Sequence, residues 1–128
     1  MGELAPAGAS ILIVDDDEGI REALGMALDD AGYCSGAAAD GAEALAWLET
    51  HPAPRVILLD LQMPVMDGFE FRARQRAHPR LAAVPVIVFT AAAHGTAERV
   101  EALGSALVMK KPFDLDRMLS TIAEIVAT

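Results

Sequence analysis

Five residues of reactive type each follow a short apolar run in this chain. Asp15 and Asp16 follow Ile11 to Val14, Asp60 follows Val56 to Leu59, and Thr90 follows Val86 to Phe89. Lys111 closes the stretch that begins with Ala106 to Met109. Apolar runs this short cannot span a membrane and suit strands buried on both faces. Their polar end residues therefore stand where a strand leaves the core. Three carboxylates gathered at one point would raise one another's pKa unless a cation neutralised them. A hard divalent ion resolves that repulsion, and magnesium, which takes oxygen ligands and keeps several waters, leaves room for a phosphoryl oxygen. Lys111 adds positive charge and Thr90 a hydroxyl donor, so the set suits phosphoryl transfer with an Asp60 oxygen attacking in line. An isolated Asp60 would read as a loop or capping residue. Capping likewise accounts for Asp16 or Asp17 within the run Asp15 to Glu18, but not for two adjacent carboxylates at a strand end.

The elements that would position these residues alternate along the chain. After the first strand, Ile20, Leu24, Ala27, Leu28 and Ala31 recur at helical spacing and Gly32 stops them. Tyr33 to Ala38 reads as a weaker strand, with Cys34 a buried strand residue. Asp40-Gly41 leads into a helix bearing Ala44, Leu45 and Leu48, which Pro52 and Pro54 end. Met63-Pro64 and Asp67-Gly68 punctuate the loop after Asp60. Asp67 then caps a helix to about His78, with Arg72, Arg74 and Arg76 solvated. Val100 and Leu103 mark a short helix before Gly104. From Asp114 a final helix sets Leu115, Met118, Leu119, Ile122, Ile125 and Val126 on one face. Five strands alternating with five helices predict an α/β domain with a parallel sheet, since each helix supplies the crossover a parallel pair needs. Ligands of such sheets bind at the carboxyl ends of the strands, where all five reactive residues fall.

Composition narrows the class. The chain has 128 residues, about half of them apolar, which is one domain with a real core. Its formal charge of -9 opposes binding to a nucleic-acid backbone and favours a cation or a basic partner. One cysteine allows neither an intrachain disulfide nor a thiolate metal cluster. Met1 to Ser10, rich in Gly, Ala and Pro, reads as a flexible leader before a domain over 11–128, and it lacks the pattern of a signal peptide. A soluble, cytoplasmic protein without membrane association is expected.

The residues resemble the receiver domain of two-component response regulators over nearly the whole chain, from about Ile11 to Val126. D-x-x-M-P-x-x-D-G from Asp60 to Gly68, with V-D-D before it, F-T-A after it and K-P-F near the end, is a highly specific combination. The resemblance implies a flavodoxin-like, doubly wound sheet of five parallel strands in the order 2-1-3-4-5, flanked by five helices. It implies phosphorylation of Asp60 by a sensor histidine kinase or a histidine phosphotransfer protein, and a signal passed to a partner or effector. Asp16 matches the direct Mg2+ ligand, Asp15 the acidic partner acting through water, Asp60 the third ligand, and Gln62 the one that ligates by its backbone carbonyl. Thr90 matches the switch hydroxyl and Lys111 the phosphate-pairing lysine, with a cis Lys111-Pro112 bond, while Lys110 is left solvated. Two features depart from the family's pattern. Val108 stands where Tyr or Phe is usual, so the switch is expected to run through Thr90 and the loop after it. Gln62 and Ala92 occupy the positions that tune phosphoryl lifetime, and Ala92 cannot position a water.

Three other readings compete. An aspartate-nucleophile phosphatase would need D-x-D, and Gln62 in place of the second Asp cannot shuttle a proton. A flavin binder would set its phosphate loop where Asp15 to Glu18 would repel the phosphate. A phosphotransfer module would use a histidine as acceptor, and His51, His78 and His94 are scattered along the chain.

Overall fold

The computed structural model describes residues 10–91, 104, 106–112 and 114–127. Five strands, β1 (Ser10–Val14), β2 (Cys34–Ala38), β3 (Val56–Asp60), β4 (Val86–Ala91) and β5 (Leu107–Lys111), form one sheet in the order β2-β1-β3-β4-β5, every pairing parallel. Among the described residues there are four helices: α1 (Glu18–Asp30), α2 (Gly41–Thr50), α3 (Gly68–Ala77) and α4 (Leu115–Ala127). The helix expected around Val100 and Leu103 lies outside the described residues. Most of the expected leader does too, but Ser10 belongs to β1 and pairs with Cys34.

Strand periodicity divides the core in two. Leu12, Val14, Ile57, Leu59, Val86 and Val88 pack on one face against Ala44, Leu48 and Phe71 of α2 and α3. Ile11, Ile13, Val56, Leu58, Ile87 and Phe89 pack on the other against Leu24, Leu28, Met118 and Ile122 of α1 and α4. Because successive side chains alternate, the central strands must be apolar at every position, and Val56 to Leu59 are all fully buried. The helices start where the sequence provides acceptors. Asp17, Asp40 and Asp67 each take up the backbone N–H three residues on, and Asp114 takes up those of Asp116 and Arg117. After α1, Gly32 turns the chain with φ 94°.

Several local expectations are corrected. Cys34 is exposed, because β2 is an edge strand paired on one side only. Arg72 is buried rather than solvated, since α3 turns it inward, where it donates to Gln75 Oε1 at 2.7 Å. Burial and the nearby Arg76 charge lower its pKa. Gln75 in turn donates to the carbonyls of Leu81 and Val84, stitching the α3–β4 connection. The last two strands run further than the apolar runs predict, because their ladder continues through Thr90 with Lys110 and Ala91 with Lys111.

Candidate functional site

The site lies at the carboxyl end of the sheet. Asp60 is the last residue of β3 and Asp15 the first beyond β1, each continuing the alternation that places Leu58 and Ile13 on the α1/α4 face. Asp15 and Asp60 are 0% and 3% exposed, whereas Asp16 is open to solvent. Carboxylate oxygens of the three lie within 4.8 Å of one another. Lys111, last residue of β5, reaches across with Nζ 3.0 Å from Asp15 Oδ2 and 3.6 Å from Asp60 Oδ2. Its ammonium sits over the Phe89 ring at 5.1 Å from the centroid, which supports the long side chain from below. The Lys111–Pro112 peptide is cis.

Electrostatics mark Asp60 apart. Burial first, then the Asp15 charge, push its carboxyl from 3.8 up to about 6; Lys111 and the Gln62 N–H act in the opposite direction. Gln62 N–H donates to Asp60 Oδ1 at 3.3 Å. Asp15 is held by the Asp17 N–H at 2.9 Å, and its carbonyl accepts from Arg21 Nη1 at 2.8 Å. Thr90, 7% exposed, follows Phe89, the register partner of Asp60, in the adjacent strand. Gln62 is exposed in the loop that follows β3. The fold therefore gathers the carboxylates of Asp15, Asp16 and Asp60, sets Lys111 against Asp15 and Asp60, and brings Thr90 to the neighbouring strand end. Lys110 is exposed, as are His51 and His78 near the ends of α2 and α3. Phe89, Arg21 and Asp17 support the site and were not singled out for it in the sequence. The x-F-T pattern of β4 carries a signal for Phe89, but Arg21 carries none.

Close backbone approach shapes the loop after Asp60. A Cβ at Gly68 would lie 2.5 Å from the Asp60 carbonyl oxygen, and Gly68 N–H donates to the Leu61 carbonyl at 3.0 Å. The N-terminus of α3 is thus clamped to the end of β3 by a residue without a side chain.

A parallel sheet in this order, with acidic residues and one ammonium converging at its carboxyl edge, defines a doubly wound α/β domain. The chain belongs to the response regulator receiver domain family, whose profile matches residues 11–123. It is 32% identical over 121 residues to the response regulator Rre1 of Synechocystis sp., covering 92% of this chain and 52% of that protein. It is 35% identical over 114 residues to the DNA-binding dual master transcriptional regulator RpaA of the same organism, covering 88% of this chain and 46% of that one. The chain thus spans about half the length of these curated relatives. Among solved structures, the chemotaxis protein CheY4 of Vibrio cholerae is 35% identical with a TM-score of 0.81, covering 91% of this chain and 98% of the other. A response regulator receiver protein of Pseudomonas putida is 28% identical with a TM-score of 0.83, covering 94% and 99%. No helix among the described residues is long and apolar enough to cross a membrane.

Proposed function

We propose that Asp60 accepts a phosphoryl group from a phosphohistidine of a sensor histidine kinase or histidine phosphotransfer protein, in a Mg2+-dependent reaction, and that the domain then switches conformation to signal to a partner or effector. The observation that carries this reading is the charge balance of the site. Three carboxylates within 4.8 Å of one another face one ammonium, which leaves two negative charges in excess, the charge of one divalent cation. Burial first, and then the Asp15 charge, raise the Asp60 pKa, so a cation beside it would relieve both the desolvation and the repulsion. All the donors are hard oxygens, which suits magnesium. Asp15, Asp16, Asp60 and the backbone carbonyl of Gln62 would hold it. Bound there, Mg2+ supplies positive charge to the transferring phosphoryl oxygens.

The chain's own groups account for the rest. An ionised Asp60 oxygen attacks phosphorus in line; the P–N bond to the donor imidazole breaks, and its electron pair stays on the ring nitrogen, which takes up a proton. With its carboxyl at about 6, Asp60 is largely ionised at neutral pH and available for attack. Lys111, already within 3.6 Å of Asp60, pairs with an oxygen of the resulting aspartyl phosphate. Thr90 donates its hydroxyl to another, and its movement is the switch. The exposed Gln62 cannot shuttle a proton, which favours a signalling phosphoacceptor, catalysing only its own phosphorylation and dephosphorylation, over a turnover phosphatase. A kinase donor places the domain in the cytoplasm, and the net charge of -9 argues against direct nucleic-acid binding by it.

Transfer from an autophosphorylated histidine kinase carrying radiolabelled phosphate tests the reading. Label should move to this chain only when Mg2+ is present, and Asp16→Ala should slow the transfer and weaken the thermal stabilisation that Mg2+ confers. Transfer that is equally fast with a chelator would refute it.

A further inference from the structure

The loop after Asp60 contains the one residue other than glycine with positive φ among the described residues. Val65 takes φ 67°, and Met66 N–H closes a three-residue turn onto the Pro64 carbonyl at 2.7 Å. A β-branched side chain strongly disfavours that conformation, and the turn itself is rare and strained. Val65 makes no compensating burial, being 84% exposed. Its neighbours hold it in place. Leu61 and Met63 are buried on the upstream side. Downstream, the Met66 carbonyl accepts the N–H of Gly41, first residue of α2, at 3.0 Å. A Cβ at Gly41 would lie 2.7 Å from Met66 Cγ and 2.9 Å from its carbonyl oxygen, so only glycine admits this contact.

The upstream end of the same loop is tied to the acceptor carboxylate, because Gln62 N–H donates to Asp60 Oδ1. A group added to that carboxylate competes for the oxygen and disturbs the Gln62 peptide. The disturbance has few places to dissipate. Helix α3 is clamped to β3 through Gly68, and Pro64 has its φ fixed by the ring. Val65, held against its preference, is where the backbone can relax, and relaxation re-aims the Met66 carbonyl that binds α2. The start of α2 answers as a unit, since Asp40 accepts from Glu43 N–H at 2.8 Å while Glu43 Oε1 accepts from Ala39 N–H at 3.0 Å.

We infer that the 61–67 loop carries a second readout of Asp60 occupancy, delivered to helix α2 through the Gly41–Met66 contact with Val65 as its sprung joint. It rests on the phosphoacceptor reading above and adds an output at the α2/β2 edge, away from β5. The fold supplies a reporter. Trp47, the chain's only tryptophan, lies on α2, packs so closely on Gly36 of β2 that a Cβ there would lie 2.5 Å from its ring, and stacks on His51 at 3.9 Å.

The test loads the full chain with acetyl phosphate and Mg2+, scoring phosphate on Asp60 by mass spectrometry and Trp47 emission on the same samples. Wild type should change its emission in step with labelling. Val65→Gly, which removes the strain at an exposed position, should label equally but lose most of the emission change, and Gly41→Ala, if folded, should do the same. Stoichiometric label with no emission change in wild type, or with an undiminished change in Val65→Gly, overturns the inference and leaves the phosphoacceptor reading intact. Absence of label refutes both.

Discussion

Asp60→Asn should stabilise the metal-free protein at neutral pH by an amount that vanishes in acid. The folded state lifts the Asp60 carboxyl from 3.8 to about 6, so it holds the proton more tightly than the unfolded chain does. Folding is therefore favoured by protonation: the penalty for ionised Asp60 is absent below about pH 4, grows as pH rises and is complete above about pH 6. At about 1.4 kcal/mol for each tenfold difference in proton affinity, the complete penalty is ~3 kcal/mol. For a domain of this size that is about 10 °C in midpoint. Asparagine keeps an oxygen for the Gln62 N–H, so the variant removes the charge with little other change. The assay is urea denaturation followed by Trp47 emission, in chelator, with both proteins compared from about pH 4 to about pH 8. Asp60→Asn should be the more stable at the alkaline end and the difference should shrink towards the acid end. Equal stability at about pH 8, or a difference that does not depend on pH, would show that the buried carboxylate is not under the electrostatic load described here. Added Mg2+ should narrow the gap by stabilising wild type more than the variant.

Further outcomes follow from single contacts. Lys111→Met removes the ammonium 3.6 Å from Asp60, so the Asp60 pKa should climb further and the acid limb of the phosphorylation rate against pH should move to higher pH. An unmoved limb would mean that Lys111 does not act on Asp60. Gly36→Ala drives a methyl into the Trp47 ring and should cost about 1–3 kcal/mol in urea denaturation, with a changed Trp47 emission spectrum. Asp17→Ala leaves the Ile20 N–H at the start of α1 without its cap and should cost ~1 kcal/mol, measured in the same way.

Residues whose role follows from the local pattern were legible in the sequence. Val56 to Leu59 declare a strand buried on both faces, and Asp60 must then stand at its exit. Asp67 precedes helical spacing closely enough to read as a cap, and Asp16 and Asp17 are equal candidates before α1 until geometry selects Asp17; Asp40 reads only as a turn residue, and its cap is seen in the structure. The order of the strands came from resemblance, because alternation of strand and helix permits more than one order, and the sheet bears it out. What stayed hidden depends on partners distant in sequence. Arg72 looks like one of three solvated arginines, and its burial is set by Gln75 and the α3–β4 connection. Cys34 looks like an interior strand residue, and its exposure is set by β2 having no second neighbour. The ends of β4 and β5 are fixed by their mutual register, which runs past the apolar residues to Lys111. Nothing in Met-Pro-Val-Met announces a left-handed valine, since propensity points the other way, and the conformation is imposed by buried Leu61 and Met63 before it and by the hydrogen bond that the Gly41 N–H donates to the Met66 carbonyl after it.

Whether Asp60 is the phosphoacceptor is decided by peptide mapping after incubation with a small phosphodonor and Mg2+. A single acid-stable, base-labile phosphoryl group is expected on the peptide containing Asp60, not formed when Mg2+ is chelated beforehand and absent from Asp60→Ala. Label that persists in Asp60→Ala, or that maps to His51, His78 or His94, would contradict it.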